Sequence, residues 1–241
     1  MFIIVKKKDL LLFSALILSL GVYALFSLLP ASVATLAPAR EGEARTIVID
    51  AGHGGEDGGA VSADGVVESG INLAVARDLD ALLTLLGEDT VMTRTEDISV
   101  YSEGAQTLRQ KKRSDLENRV ALVNGTPNAV LLSIHQNSLP KSTRTHGAQV
   151  FFGGIAGSDT LAQSVQTALN SAVNDADKEA KRISSDVFLM KNVTVPAVLV
   201  ECGFLSNREE TEKLQQPDYQ TKLAVVIGGI SEYTREIGKR G

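Results

Sequence analysis

The sequence predicts an α/β fold: a single domain with a largely parallel central sheet flanked by helices, preceded by an N-terminal transmembrane segment. Three observations support this prediction. Short apolar runs alternate with segments whose apolar residues recur every three or four positions, as in strands alternating with helices. The run 129–134 is apolar at nearly every position, which is typical of a strand inside a parallel sheet. A long uncharged apolar segment lies near the N-terminus.

Residues 1–45 are predicted to form a membrane anchor or signal segment and a linker. Lys6, Lys7 and Lys8 precede the apolar run from Leu10 to Pro30, which is close to the ~20 residues needed to span a bilayer. The lysines favour a cytoplasmic N-terminus, so the rest of the chain is expected outside the cytoplasm. Small residues after Pro30 also permit cleavage by a signal peptidase, which would release a secreted protein. A single domain is expected over residues 46–241.

Composition narrows the class of function. The chain has 24 Lys and Arg against 29 Asp and Glu, whereas a general nucleic-acid-binding protein usually has a basic surplus. We therefore expect no nucleic-acid partner. The single cysteine, Cys202, excludes an internal disulfide framework. We interpret it as a small buried apolar residue rather than a nucleophile.

Local patterns predict the elements of the first half of the domain. A buried strand is expected from Thr46 to Asp50, followed by a glycine-rich turn from Ala51 to Gly55. Apolar residues at steps of three and four predict a helix from Gly70 to Leu86. A second strand is expected from Thr90 to Thr93. The polar stretch from Thr95 to Gln110 has no periodicity, so a long exposed loop is expected there.

The second half continues the alternation of helices and strands. A helix that includes Leu116 is expected to end at Asn124 and Gly125. Further strands are predicted at residues 129–134, 149–152 and 195–200, with a helix at residues 161–172. Ser206 and Glu209 have the spacing of a capping box, which predicts a helix start. An apolar pattern from Tyr219 to Ile237 predicts a terminal amphipathic helix.

Four side chains lie at the ends of these predicted elements: His53, Glu68, His135 and Glu201. His53 follows the first strand, and Glu68 lies just before the first helix. His135 and Glu201 directly follow the strands predicted at residues 129–134 and 195–200. Ligands of open α/β sheets bind outside the carboxyl ends of the strands, so these four side chains are expected to meet at one edge.

Two imidazoles and one carboxylate are an established ligand set for catalytic zinc, which keeps a further position open for water. We therefore predict that His53, Glu68 and His135 bind Zn²⁺. Glu201 would then be free to act as general base. Each residue alone also has an ordinary interpretation, as a surface histidine at a turn or a glutamate that favours a helix dipole. Their long separations along the chain match no compact zinc motif.

Four segments carry a resemblance to a known family. They are Ile49 to Gly55 (IDAGHGG), Val67-Glu68, Ser133 to Asn137 (SIHQN) and Val200 to Asn207 (VECGFLSN). Together they resemble the zinc-dependent N-acetylmuramoyl-L-alanine amidases (amidase type 3) of the bacterial cell wall, over approximately residues 46–237. The resemblance implies that His53, Glu68 and His135 bind zinc and that Glu201 is catalytic. The family often has proline at the position of Ala51, a departure that removes no ligand.

The resemblance also implies a reaction and a setting. The family hydrolyses the amide between the lactyl group of muramic acid and the L-alanine of the stem peptide in peptidoglycan. The loop Ser102 to Gly104 and the run Val187 to Thr194 resemble the germination-specific branch, which prepares spore cortex for muramic-lactam formation. A muramic acid deacetylase acts in the same pathway. Two alternatives remain, a non-catalytic peptidoglycan-binding scaffold and a zinc peptidase that cuts within the stem peptide.

Three further polar residues have two interpretations each. His146 is interpreted as a surface residue, with a substrate contact as the alternative. Arg94 and Arg119 are expected to form structural salt bridges. The alternative for both arginines is that they pair with substrate carboxylates, which guanidinium groups bind through two hydrogen bonds.

Overall fold

The computed structural model describes residues 45–230 of the 241-residue chain. Within these residues the strands are β1 (Thr46–Ala51), β2 (Asp89–Met92), β3 (Ala129–Asn137), β4 (Gln149–Phe152), β5 (Lys181–Arg182) and β6 (Ala197–Phe204). The helices are α1 (Glu68–Leu85), α2 (Leu108–Gly125), α3 (Ser158–Ala172), α4 (Phe188–Asn192), α5 (Arg208–Leu214) and α6 (Pro217–Gly228).

The strands form one mixed sheet in the order β2-β1-β3-β6-β4-β5. Neighbouring strands are parallel except for β4 and β6, which are antiparallel. The prediction of a largely parallel sheet is therefore corrected at this pair. A parallel neighbour requires a long crossover, usually a helix, and residues 138–148 between β3 and β4 contain no helix. The chain reverses there, and β4 runs against the direction of β3 and β6.

Helices cover both faces of the sheet. Ile47 and Leu132 pack on one face against α1, α3 and α6, whereas Val48 and Leu131 pack on the other face against α2 and α4. Burial on both faces explains the continuous apolar runs of β1, β3 and β6. Because these three strands are parallel neighbours, their carboxyl ends lie at the same edge of the sheet.

Leu79 is expected to contribute strongly to the stability of this core. Its side chain on α1 is fully buried, so Leu79→Ala should lower the free energy of unfolding by about 2–5 kcal/mol. Leu85 in the same helix is 82% exposed, and Leu85→Ala should change the free energy of unfolding by less than about 0.5 kcal/mol. Urea unfolding followed by circular dichroism measures both variants. Equal effects of the two substitutions would contradict this packing.

Three of the four candidate site residues lie inside strands or helices, although they were expected just outside them. Strands β3 and β6 continue through His135 and Glu201, which were predicted to follow the strands directly. Glu68 is the first residue of α1 rather than the residue before the helix. The apolar runs end before these positions, but the pairing of β3 with β6 continues through His135 and Glu201, which are register partners.

Helix starts differ from the predictions where a different residue caps the helix. Helix α2 begins at Leu108, inside the predicted loop, because Thr107 and Gln110 form a capping box. Helix α5 begins at Arg208, where the Asn207 side chain accepts a hydrogen bond from the backbone N–H of Glu210. The predicted capping box of Ser206 and Glu209 is therefore wrong by one residue. The short helix α4 was not predicted, since five residues are too few to establish a periodicity.

Residues 45–230 include no helix with the length and apolar character needed to cross a membrane. The predicted membrane segment at residues 10–30 and the linker after it lie outside the described residues. The predicted continuation of the last helix to Ile237 also lies outside them; α6 ends at Gly228.

Candidate metal centre

His53 is presented by a tight turn just beyond β1. Its backbone has φ 60°, a left-handed conformation that is uncommon for residues other than glycine. Nδ1 of its ring lies 3.1 Å from Oδ2 of Asp57, and Lys112 Nζ lies 3.1 Å from the same oxygen. The hydrogen bond from His53 holds the pKa of Asp57 well below its usual range. Asp57 thereby orients the ring and leaves Nε2 free to face the site.

Glu68 is buried at the start of α1. One carboxylate oxygen, Oε2, accepts the backbone N–H of Ala60 at 2.8 Å. The other, Oε1, accepts from Asn72 Nδ2 and from the backbone N–H of Gln136, both at 3.1 Å. Burial alone would raise the pKa of Glu68, but the hydrogen bond and charge of His135 and the charge of His53 lower it to about 2. The carboxylate is therefore ionised at neutral pH, as a metal ligand must be.

His135 approaches Glu68 from the adjacent strand. Its Nδ1 lies 3.0 Å from Glu68 Oε1, and its ring lies edge-on to that of His53 with the centroids 5.1 Å apart. The ring also packs against Gly52, where an added Cβ would lie only 2.2 Å from His135 Cε1. A glycine is therefore required at this position for the imidazole to reach the site.

The three predicted ligands converge on one point. Ligand atoms of His53, Glu68 and His135 all lie within 4.8 Å of one another. The closest pairs are His135 Nδ1 to Glu68 Oε1 at 3.0 Å and His53 Nε2 to Glu68 Oε1 at 3.5 Å. Tetrahedral ligands about 2 Å from zinc lie roughly 3.3 Å apart, and two imidazoles with one carboxylate suit zinc better than magnesium. The donor set and its spacing therefore fit a zinc ion.

Glu201 lies beside His135 on the neighbouring strand and is not part of the three-residue group. Its Oε2 atom is buried and has no hydrogen-bond partner among residues 45–230. Burial, with a contribution from the negative charge of Glu68, raises the pKa of Glu201 to about 7, although the charge of His135 opposes this. A carboxyl group with such a pKa can take up and release a proton near neutral pH.

Comparison with known proteins identifies the family. A family model described as N-acetylmuramoyl-L-alanine amidase matches residues 47–231. This chain belongs to that amidase family. The germination-specific N-acetylmuramoyl-L-alanine amidase of Bacillus subtilis (strain 168) is 38% identical to this amidase over 196 residues, which cover 80% of the chain and 81% of the relative.

Two solved structures have the same fold as this amidase. The CwlD amidase from Clostridioides difficile, solved in complex with the GerS lipoprotein, has a TM-score of 0.74 and 36% identity, and the match covers 79% of this chain and 98% of that one. The N-acetylmuramoyl-L-alanine amidase from Clostridium difficile 630 has a TM-score of 0.69 and 31% identity, covering 79% and 97% respectively. These matches confirm the resemblance, and this chain is an amidase-family hydrolase.

Arg94 and Arg119, for which the sequence allows two interpretations, are both buried inside the domain. Arg119 donates to Asp50 Oδ1 at 2.6 Å and to Asp115 Oδ2 at 2.7 Å, whereas Arg94 donates mainly to backbone carbonyls. Burial opposes ionisation of Asp50, but the charges of Arg119 and His135 together with hydrogen bonds from Ser133 and Arg119 outweigh it, and the pKa of Asp50 falls to about 2. The salt-bridge interpretation is confirmed for Arg119, and Arg94 also pairs with a carboxylate, with Nη1 3.8 Å from Asp97 Oδ1. Both arginines are too deeply buried to meet a substrate carboxylate.

His146 and Cys202 have the surroundings that were expected of them. His146 is half-exposed, and its Nε2 lies 3.0 Å from Asp175 Oδ2 at the surface. Cys202 is fully buried, and burial raises the pKa of its thiol to about 12. Neither residue belongs to the metal-binding group among the described residues.

Asp57 and Asn72 support the candidate ligands, and neither was predicted from the sequence. Asp57 lies four residues after His53, just beyond the glycine-rich turn, and Asn72 lies four residues after Glu68 on the same face of α1. The spacing of four residues from a candidate ligand was the signal in the sequence that could have identified both residues. A polar residue one helical turn from a ligand is nevertheless common in any sequence.

Proposed function

We propose that this protein is a zinc-dependent amidase that hydrolyses the amide between the lactyl group of muramic acid and the L-alanine of the stem peptide. The observation that carries the proposal is the convergence of His53, Glu68 and His135 beside Glu201, whose Oε2 atom is buried. Family membership supports the bond that is cleaved.

The residues divide the work between binding and proton transfer. His53 and His135 would bind zinc through ring nitrogens and Glu68 through its carboxylate. When bound, zinc supplies a Lewis acid and lowers the pKa of a coordinated water. Glu201 accepts a proton from the attacking water and donates it to the nitrogen of L-alanine as the carbon–nitrogen bond breaks. Burial raises the pKa of Glu201 above the usual range of a glutamate, and this suits the carboxyl group to holding a proton between the two transfers.

The neighbours of the ligands keep them in binding geometry. Asp57 accepts the Nδ1–H of His53, so the lone pair of Nε2 is available to the metal. Asn72 and the backbone N–H groups of Ala60 and Gln136 fix the carboxylate of Glu68. A preorganised site of this kind loses little conformational entropy when the ion binds.

We further propose spore-cortex peptidoglycan as the substrate and the outside of the cytoplasmic membrane as the location. The germination-specific relative at 38% identity supports the cortex role. Residues 1–45 would anchor the protein or direct its secretion, and residues 46–241 would form the catalytic domain. A muramic acid deacetylase would act on the product in the same pathway.

Digestion of purified cortex peptidoglycan by the full-length protein tests this proposal. Mass spectrometry should detect free stem peptides that begin with L-alanine and muramic acid residues without a peptide. A chelator should abolish both products, and added zinc should restore them. Products cut within the stem peptide would instead identify a zinc peptidase, and binding to peptidoglycan without any product would identify a non-catalytic scaffold.

A further inference from the structure

The backbone that carries His53 is held by side chains of distant residues. The backbone carbonyls of residues 51–53, at the end of β1, accept hydrogen bonds from five side-chain N–H groups. Arg94 Nε and Arg119 Nη1 both donate to Ala51 O at 2.8 Å. Arg94 Nη2 and Asn72 Nδ2 donate to Gly52 O at 3.1 and 3.0 Å. Arg119 Nη2 donates to the carbonyl of His53 itself at 2.7 Å.

This turn needs such support because His53 has a left-handed backbone. A residue with a Cβ adopts φ near 60° at a cost, and the conformation persists only where several surrounding contacts impose it. The guanidinium group is planar and rigid, so it can bond neighbouring carbonyls at fixed positions. Arg119 bonds the carbonyls on both sides of Gly52 and therefore fixes the direction in which the His53 side chain leaves the turn.

Stability alone does not account for these buried charges. Arg94 is 3% exposed and Arg119 is 2% exposed, and Asp50 and Asp115 are buried with them. Removing two arginines from water is costly, and well-packed apolar side chains often stabilise a fold as well as a buried ion pair does. A guanidinium that also bonds the carbonyl of a candidate ligand provides what an apolar side chain cannot.

We propose that Arg119, assisted by Arg94, is a positioning residue for the metal centre. Its guanidinium holds residues 51–53 in the conformation that directs His53 Nε2 towards Glu68 and His135. Asp50 and Asp115 orient the guanidinium in turn, through hydrogen bonds of 2.6 and 2.7 Å. The proposal rests on the proposed zinc site and adds a residue whose effect on zinc is exerted through the backbone of His53.

Zinc affinity of the folded, full-length protein is the deciding measurement. Arg119→Lys keeps the positive charge, but an ammonium group cannot reach Asp50, Asp115, Ala51 O and His53 O together. We expect its zinc affinity, measured by competition with a chromophoric chelator, to be about 10- to 100-fold weaker than wild type. The visible spectrum of the cobalt-substituted protein should change as well, because it reports ligand geometry.

Gln166→Met is the matched control for a general loss of stability. Gln166 is fully buried and bonds the backbone of β4, three strands away from β1. This variant should have a lower denaturation midpoint but the zinc affinity of wild type. Affinities are compared only at a temperature where circular dichroism shows each variant to be folded.

Each outcome of the zinc-affinity measurements supports or overturns either the positioning role of Arg119 or the proposed function. Zinc affinity of Arg119→Lys within twofold of wild type would overturn the positioning role, as would an equal loss in Gln166→Met. If Arg119→Lys does not fold, Asp115→Asn, which removes one of the two carboxylates that orient the guanidinium and keeps Arg119, is assayed in the same way. If neither variant folds, Arg119 is required for the fold itself and the positioning role is overturned. Failure of the wild-type protein to bind zinc would instead refute the proposed function.

Discussion

Glu201→Gln is expected to lower amidase turnover by about a hundred- to ten-thousand-fold while leaving one zinc ion bound per chain. The amide has nearly the same size as the carboxyl group but cannot accept a proton from water. Glu201 lies outside the group of three candidate ligands, so its substitution should not release the metal. Release of stem peptides from peptidoglycan measures turnover, and elemental analysis measures zinc in the same sample.

Glu210→Gln is the control for this substitution, since it makes the same chemical change at another buried glutamate. Glu210 on α5 accepts the backbone N–H groups of Gly147 and Phe204, both at 2.8 Å, and is not one of the predicted site residues. Its variant should keep its turnover wherever it is folded. Substantial activity in Glu201→Gln would show that another group transfers the proton, and loss of zinc from that variant would show that Glu201 is a ligand.

His135→Ala is expected to release zinc and, with it, all measurable turnover. The substitution leaves one imidazole and one carboxylate, which are too few protein ligands for a catalytic zinc site. It also leaves Glu68 without the hydrogen bond at 3.0 Å and the charge that favour its ionised form. Zinc content after dialysis and turnover on peptidoglycan are the two measurements.

His146→Ala is the matched control for His135→Ala. His146 is half-exposed and pairs with Asp175 at the surface, so its variant should keep both zinc and activity. Stoichiometric zinc in a folded His135→Ala protein would exclude His135 as a ligand. Equal zinc loss from both histidine variants would mean that the metal binds without a specific site.

Several strands and helices could be predicted because their signals are local. The runs at β1 and β3 are apolar at successive positions, as expected of strands covered on both faces, and the structure buries them on both faces. The antiparallel direction of β4 is not visible in the strand's own residues, because the run from Val150 to Phe152 is apolar whichever way the strand is oriented. Direction depends on the connection: residues 138–148 have no helical pattern, and a connection without a helix favours an antiparallel strand, a signal that the prediction did not use.

The four candidate site residues were predicted from motifs at the ends of strands, whereas the residues that support them were not predicted. Glu201 and His135 become neighbours through the register of β6 against β3, which the topology imposes. Arg94 and Arg119 bond residues 51–53 from positions far along the chain. No local pattern distinguishes such an arginine from one that forms a surface ion pair, so both interpretations of these arginines stay open from the sequence alone.

The sequence by itself determined the alternation of strands and helices, the four candidate site residues and the family to which they point. These follow from local patterns and short motifs, which depend on residues close together in the chain. Only the tertiary structure decided that three ligand atoms lie within 4.8 Å of one another, that the half-buried Glu201 lies beside His135 with its Oε2 atom shielded from solvent, and that two arginines hold the His53 turn. Those facts depend on strand order, register and burial, which arise when distant segments pack and exclude water.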